Sequence, residues 1–203
     1  LSNTGTNAKN GTLTFNYSGG SFDSDGVSSV EWKDLYVEAF KYISATLGIT
    51  FKEDQGLLAD IELTDNDTGA YNSNFGIIED ENKLIEYSRL NISPDFSDPS
   101  DFGGYAWSTV VHELGHTLGL GHQGNYNGTV NFSEEAVFAN DSWDISIMSY
   151  VSQTQNPNFT GRTYTDSSTF KAADLLALDD LYASQGYGTS NAFTGDTTYG
   201  HNT

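Results

Sequence analysis

The stretch VVHELGHTLGLGH (Val110–His122) holds three of the chain's four histidines. His112 and His116 are four residues apart, and residues at that spacing share one face of an α-helix. The spacing therefore predicts a helix with two imidazoles side by side. Glu113 is turned from His112 by about 100°, so its carboxylate can reach a water at the same point without acting as a ligand. Gly119 predicts a sharp exit from the helix, and that turn brings His122 back toward the first two histidines. Three neutral imidazoles around one ion leave a fourth position for water, the pattern of catalytic zinc, whereas structural zinc sites close all four positions. The short H-E-x-x-H motif occurs by chance in many chains, but every position of the longer H-E-x-x-H-x-x-G-x-x-H is filled here.

The motif implies a helix from near Tyr105 to about Gly119, and the other elements are read outward from it. GTLTFNYSG (Gly11–Gly19) alternates apolar and polar residues and reads as a strand. In SSVEWKDLYVEAFKYISATLG (Ser28–Gly48), Tyr36, Phe40, Ile43 and Leu47 form one helix face, with Ser28 and Glu31 as a capping box and Gly48 as the stop. Three segments, Ile49–Asp54, Ala59–Asp67 and Lys83–Ile92, read as further strands, and SPDFSDPSDFGG (Ser93–Gly104) as a loop. A long irregular stretch runs from Gly121 to Ile147, and a loop of that length usually carries function. The last helix is expected within Ser167–Ser184, with Lys171, Leu175, Leu178 and Tyr182 on one stripe. Early strands with few, separated helices indicate the α+β class.

Composition narrows the function. The chain has 203 residues, 36% hydrophobic, with 8 basic against 28 acidic side chains and a net charge of −20. So acidic a surface repels phosphate backbones and anionic lipid, and no stretch is long and apolar enough for a membrane span, so neither nucleic acid nor membrane is an expected partner. The absence of cysteine excludes a disulfide scaffold and cysteine-ligated zinc. The chain begins at Leu1 and its sole methionine is Met148, so a processed or trimmed product is expected, with any signal or pro-segment gone. Trp32, Trp107 and Trp143 are read as packing residues.

With the long histidine motif and the lone methionine in SIMSY (Ser146–Tyr150), 26 residues past His122, the chain resembles the metzincin metalloproteases, which follow this motif with a Met-turn. Met148-Ser149-Tyr150 is similar to the serralysin and astacin branches. HELGHTLGLGHQGNYNG, SIMSY, LLALDDLYAS and FTGDTTYG together look like the serralysins. Two positions depart from the serralysin pattern: Gln123 where those proteins usually have proline, and Phe193 where they often have arginine.

The resemblance implies a metzincin fold, with a twisted mixed sheet, an active-site helix and a C-terminal helix. It implies Zn2+ on His112, His116 and His122, with Tyr150 as a displaceable fifth ligand, Glu113 and Tyr150 as catalytic residues and Met148 as the hydrophobic floor. The implied activity is that of a secreted bacterial zinc endopeptidase of broad specificity. Its substrates, proteins or peptides, would lie extended along an edge strand within Gly69–Ile78, and a monomer is expected. Two alternatives are a zinc-fold adhesion module within a larger secreted assembly and a metzincin of another branch. The protease domain is expected over residues 1–188. The tail over 189–203 resembles the entry to a calcium-binding β-roll and offers about half the oxygen ligands that Ca2+ needs. Asp65–Asp67 is the other place where calcium could bind.

Overall fold

The computed structural model describes residues 8, 11–17, 26–27, 29–54, 59–79 and 82–189. The Ser28 cap and the tail beyond Thr189 therefore lie outside the described residues. Five strands, β1 (Thr12–Asn16), β2 (Thr50–Glu53), β3 (Ile61–Thr64), β4 (Ala70–Glu79) and β5 (Asn82–Ile92), form one mixed sheet in the order β2-β1-β3-β5-β4. β1 runs parallel to β2 and β3, and β3 parallel to β5; only β4 is antiparallel, paired with β5 from Ala70↔Ile92 to Glu79↔Asn82. Helices α1 (Val30–Leu47), α2 (Tyr105–Thr117), the single-turn α3 (Phe132–Glu135) and α4 (Ala172–Tyr182) complete the fold. The α+β expectation thus holds.

Helix α1 forms where its apolar period predicts. Tyr36, Phe40, Ile43 and Leu47 are all buried, and Gly48 ends the helix at φ 78°, a conformation that a side chain would resist. Its N-cap is Ser29, which accepts from the Trp32 N–H at 3.4 Å and donates from its Oγ to Glu31 at 2.8 Å. With Ser29 as the cap, Glu31 is the second helical residue and accepts from the serine hydroxyl, so this contact is not the capping box expected from Ser28 and Glu31. Leu13, Phe15, Ile61, Leu63, Leu90 and Ile92 from the sheet pack against α1 and α2 in one continuous core. Each side chain of that size contributes about 1.5–3 kcal/mol on burial.

The buried stripe of α4 consists of Asp174, Leu178 and Tyr182. Lys171, expected on that stripe, sits instead at the N-cap, where its backbone N–H donates to Asp174 Oδ2 at 2.8 Å. A carboxylate takes the first buried position because it has backbone and hydroxyl donors to satisfy there, as the site shows.

The end of α2 decides where the third histidine goes. Gly119 N–H donates to His116 O and Leu120 N–H to Gly115 O, both at 2.9 Å. This crossed pair is the Schellman arrangement, and it requires the residue after the C-cap to leave the right-handed region. Gly119 does so at φ 102°. Gly119→Ala should therefore cost about 1–2 kcal/mol through the left-handed backbone penalty, read as a lower midpoint in chemical denaturation of the metal-free protein, whereas Gly121→Ala, with open space at its Cβ position, should cost less.

Candidate metal centre and active-site cleft

His112 and His116 project from one face of α2, and His122 returns from beyond the Gly119 turn. Among the described residues, these three form the only group of three or more metal-ligating side chains, with ligand atoms within 4.8 Å of one another. The Asp65–Asp67 loop forms no such group, and Asp67 instead accepts from Thr68 N–H at 2.8 Å and Tyr71 OH at 3.1 Å. The Nε2 of His122 lies 3.3 Å from that of His112 and 3.0 Å from that of His116. Nitrogens bound tetrahedrally to one zinc at ~2.0–2.1 Å stand about 3.3 Å apart, so the donor set fits that ion.

Each ring is oriented by its other nitrogen. Nδ1 of His112 faces Ile147 O at 2.9 Å, that of His116 faces Leu120 O at 2.8 Å, and that of His122 faces Tyr126 O at 3.1 Å. A carbonyl can only accept, so each Nδ1 carries the proton and each Nε2 presents a lone pair, the usual role of such partners in a metal site. Burial keeps the rings neutral. It pushes His112 down to about 3 and His116 to about 4, the mutual repulsion of the rings adding to it, and it lowers His122 as well.

Glu113 is buried, its Oε2 has no hydrogen-bond partner, and desolvation raises its pKa to about 8. It lines, with His112, Tyr150, Trp143, Gly69 and Ala70, a cleft of about 580 Å³, within the range of ligand sites. The Tyr150 ring stands 4.4 Å from His122 and 5.8 Å from His112, centroid to centroid.

Met148 is buried beneath the triad. A Cβ added at Gly115 would lie 2.6 Å from its Sδ, so the glycine inside the motif is the seat of the methionine. Met148 thus packs against the helix between the His112 and His116 positions, and the structure brings the sequence-predicted residues His112, Glu113, His116, His122, Met148 and Tyr150 into one region.

A family profile described as metallo-peptidase family M12B, reprolysin-like, matches residues 87–187. Metallopeptidase AprA of Pseudomonas marginalis is 37% identical over 107 residues, covering 50% of this chain and 21% of that protein. Serralysin C of Dickeya chrysanthemi is 40% identical over 103 residues, 48% of this chain and 20% of that one. In three dimensions the chain is similar to high choriolytic enzyme 1, a hatching enzyme zinc-protease from Oryzias latipes, at 16% identity and a TM-score of 0.50, over 89% of this chain and 94% of that one.

The chain belongs to the metzincin metallopeptidases. The family uses zinc, and the serralysin resemblance is confirmed over half of the chain. The matched region spans about a fifth of the length of each of these two sequence relatives.

Two parts of this metzincin site were not visible in the sequence. Trp143, expected to be a packing residue, lines the cleft and donates from Nε1 to Ser149 O at 2.7 Å. Asp174, 26 residues past Met148, accepts from Ser146 Oγ at 2.6 Å and from the N–H groups of Ile147 and Lys171 at 2.8 Å each. It fixes the backbone at Ile147, whose carbonyl faces His112 Nδ1. An Asp at the start of α4 reads as an ordinary helix-terminus residue, so the signal was present but ambiguous.

The shifted groups set a pH dependence for the metal-free protein. Glu113 holds its proton more tightly when folded, so its contribution is fully present below about 4.5 and is lost as pH rises toward about 8. The histidines act in the opposite sense, with stability lost as pH falls from 6.5 toward about 3–4. In chelator-treated protein, Glu113→Gln should therefore gain stability relative to wild type as pH is raised from about 4.5 to about 8, followed by denaturation midpoints at each pH. A constant difference across that window would show that Glu113 is not desolvated as described.

Proposed function

We propose that this chain is the peptidase unit of a zinc-dependent endopeptidase that cuts internal bonds of extended protein substrates. The observation that carries this reading is Glu113. It is a buried, unpartnered carboxylate on the cleft wall beside three convergent imidazoles, yet it is not one of them. A site built only to hold a metal needs no such group. In this reading His112, His116 and His122 hold the zinc, which supplies a Lewis acid that polarises the scissile carbonyl and acidifies the attacking water.

Glu113 acts as general base, taking the proton of the attacking water and later delivering it to the leaving amine. Its buried position keeps competing water away from that proton. Tyr150, on the far side of the triad, donates from its phenol to the oxyanion that develops at the carbonyl. Desolvation and the nearby Glu113 raise its pKa, which keeps the phenol protonated and able to donate. Such a donor is worth roughly 10²–10³ in rate. Met148 supports the ligands from below.

Substrate is held by backbone pairing. β4 is the last strand of the sheet, and its first residue, Ala70, lines the cleft. A chain added to that edge is bound through main-chain hydrogen bonds, which tolerate many side chains, so the specificity is broad. The two sequence relatives named above come from bacteria, and this protein is proposed to be a secreted bacterial enzyme.

Hydrolysis of casein that stops on chelation and returns with zinc tests the activity. Glu113→Ala should bind zinc as wild type does and lose nearly all turnover. Tyr150→Phe should retain more, a loss of about 10²–10³. Wild-type turnover in Glu113→Ala would remove it from the role of base. A wild-type protein that binds zinc but cleaves nothing would favour an adhesion module, which needs neither residue.

A further inference from the structure

Asp141 lies 19 residues past His122, outside the motif and the Met-turn, and is fully buried. Its Oδ1 accepts from Ser149 Oγ at 2.6 Å, and the Tyr126 hydroxyl stands 3.2 Å from both carboxylate oxygens. Its own backbone is pinned, since its carbonyl accepts from Asn156 Nδ2 at 2.8 Å and its N–H donates to Phe138 O at 3.1 Å. A buried charge held this firmly is expensive unless its acceptors are used, and the two side chains that use them lead to different parts of the site.

The first is Tyr126, whose backbone carbonyl receives the His122 Nδ1 proton at 3.1 Å. Its ring stacks on Tyr150 with centroids 5.1 Å apart, and a Cβ at Gly124 would lie 2.6 Å from that ring, so the ring has one place to lie. The second is Ser149, which precedes Tyr150 and whose Oγ also accepts from Val151 N–H at 2.9 Å. One carboxylate thus holds the residue that orients the third histidine and the residue that places the tyrosine.

We propose that Asp141 is a positioning residue that sets the His122 ring and the Tyr150 ring in register with each other. This inference rests on the zinc reading above. The triad's first two ligands share a helix, which sets their spacing, and Asp174 fixes the backbone that faces His112. The third arrives on a loop, and Asp141 ties the loop carrying Tyr126 to the turn carrying Tyr150, adding to the direct bonds of the Tyr126 phenol to Ser149 and the Tyr150 backbone.

Tyr126→Phe is the sharpest test, because it deletes one hydroxyl and keeps the ring and the carbonyl. Asp141→Asn and Ser149→Ala complete the set. Zinc affinity is measured by chelator competition, the cobalt(II)-loaded protein is examined by visible absorption, and the metal-free melting point is recorded for each variant. Tyr126→Phe and Asp141→Asn should weaken zinc binding about 10–100-fold, the usual effect of losing an outer partner, and both should shift the cobalt absorption bands; Ser149→Ala should shift the bands with a smaller loss of affinity. A role confined to packing would lower the melting point and leave affinity and spectrum at wild-type values, and that result for Tyr126→Phe would overturn the inference even if Asp141→Asn failed to fold. Tight zinc binding by wild type with indifferent variants would overturn this inference alone. Wild type without zinc affinity would overturn the zinc reading and this inference together.

Discussion

Three imidazole lone pairs aimed at one point, 3.0 and 3.3 Å apart where they are nearest, repel one another. The rest of the site is arranged to hold them there. The restraint comes from three backbone carbonyls, Ile147, Leu120 and Tyr126, each of which takes one Nδ1 proton. Each carbonyl belongs to a different segment: the Met-turn, the exit turn of α2, and the loop beyond His122. The helix supplies the spacing of two ligands, but the direction of all three lone pairs is stored in the irregular backbone around it. The stretch after the motif, irregular apart from α3, supplies two of those carbonyls, Tyr126 and Ile147.

Much of the site was legible because its signals are residue types at fixed spacing. The i, i+4 histidines, the glycine that must adopt φ 102° and the lone methionine each have few substitutes. Helix α1 was legible for the same reason, since its buried face follows the 3.6-residue period. The carbonyl anchors were not legible, because every residue offers the same carbonyl and only the fold decides which one faces a ring. Asp174 and Asp141 were missed for a related reason. A buried aspartate that binds hydroxyls and N–H groups has the same letter as the solvated ones, and 28 acidic side chains hide two. The cap at Ser29 was not legible because two adjacent serines offer the same hydroxyl chemistry.

The acidity of the chain and the chemistry of the site stand apart. Of the side chains that line the cleft, Glu113 alone is acidic, so the exterior charge does not intrude on the triad. Exterior carboxylates act at a distance and are screened within about 10 Å at ordinary salt. Inside, burial rather than neighbouring charge is the first cause of every shift at Glu113 and the three histidines. The same desolvation keeps the imidazoles neutral and raises the carboxylate, so one physical condition shifts both kinds of group.

Helix α2 shows what the site costs the fold. Its N-cap is Gly104, with no side-chain cap bond, and its first turn has no acidic residue to oppose the helix dipole. Gly115 lies in its interior, where glycine costs roughly 1 kcal/mol against alanine, and Thr109, Val110, Val111 and Thr117 are β-branched. By local propensity this is a weak helix. It survives because Ala106, Trp107, Val110, Val111 and Leu114 are buried in the common core, and because Thr117 is tied to β4 and β5 through Asn72 at 2.8 Å and Ser88 at 3.1 Å. The glycine that weakens the helix is the one that admits the methionine sulfur beneath the triad. Local stability is given up where the metal floor must approach the backbone, and the packing of the sheet against the helix restores it.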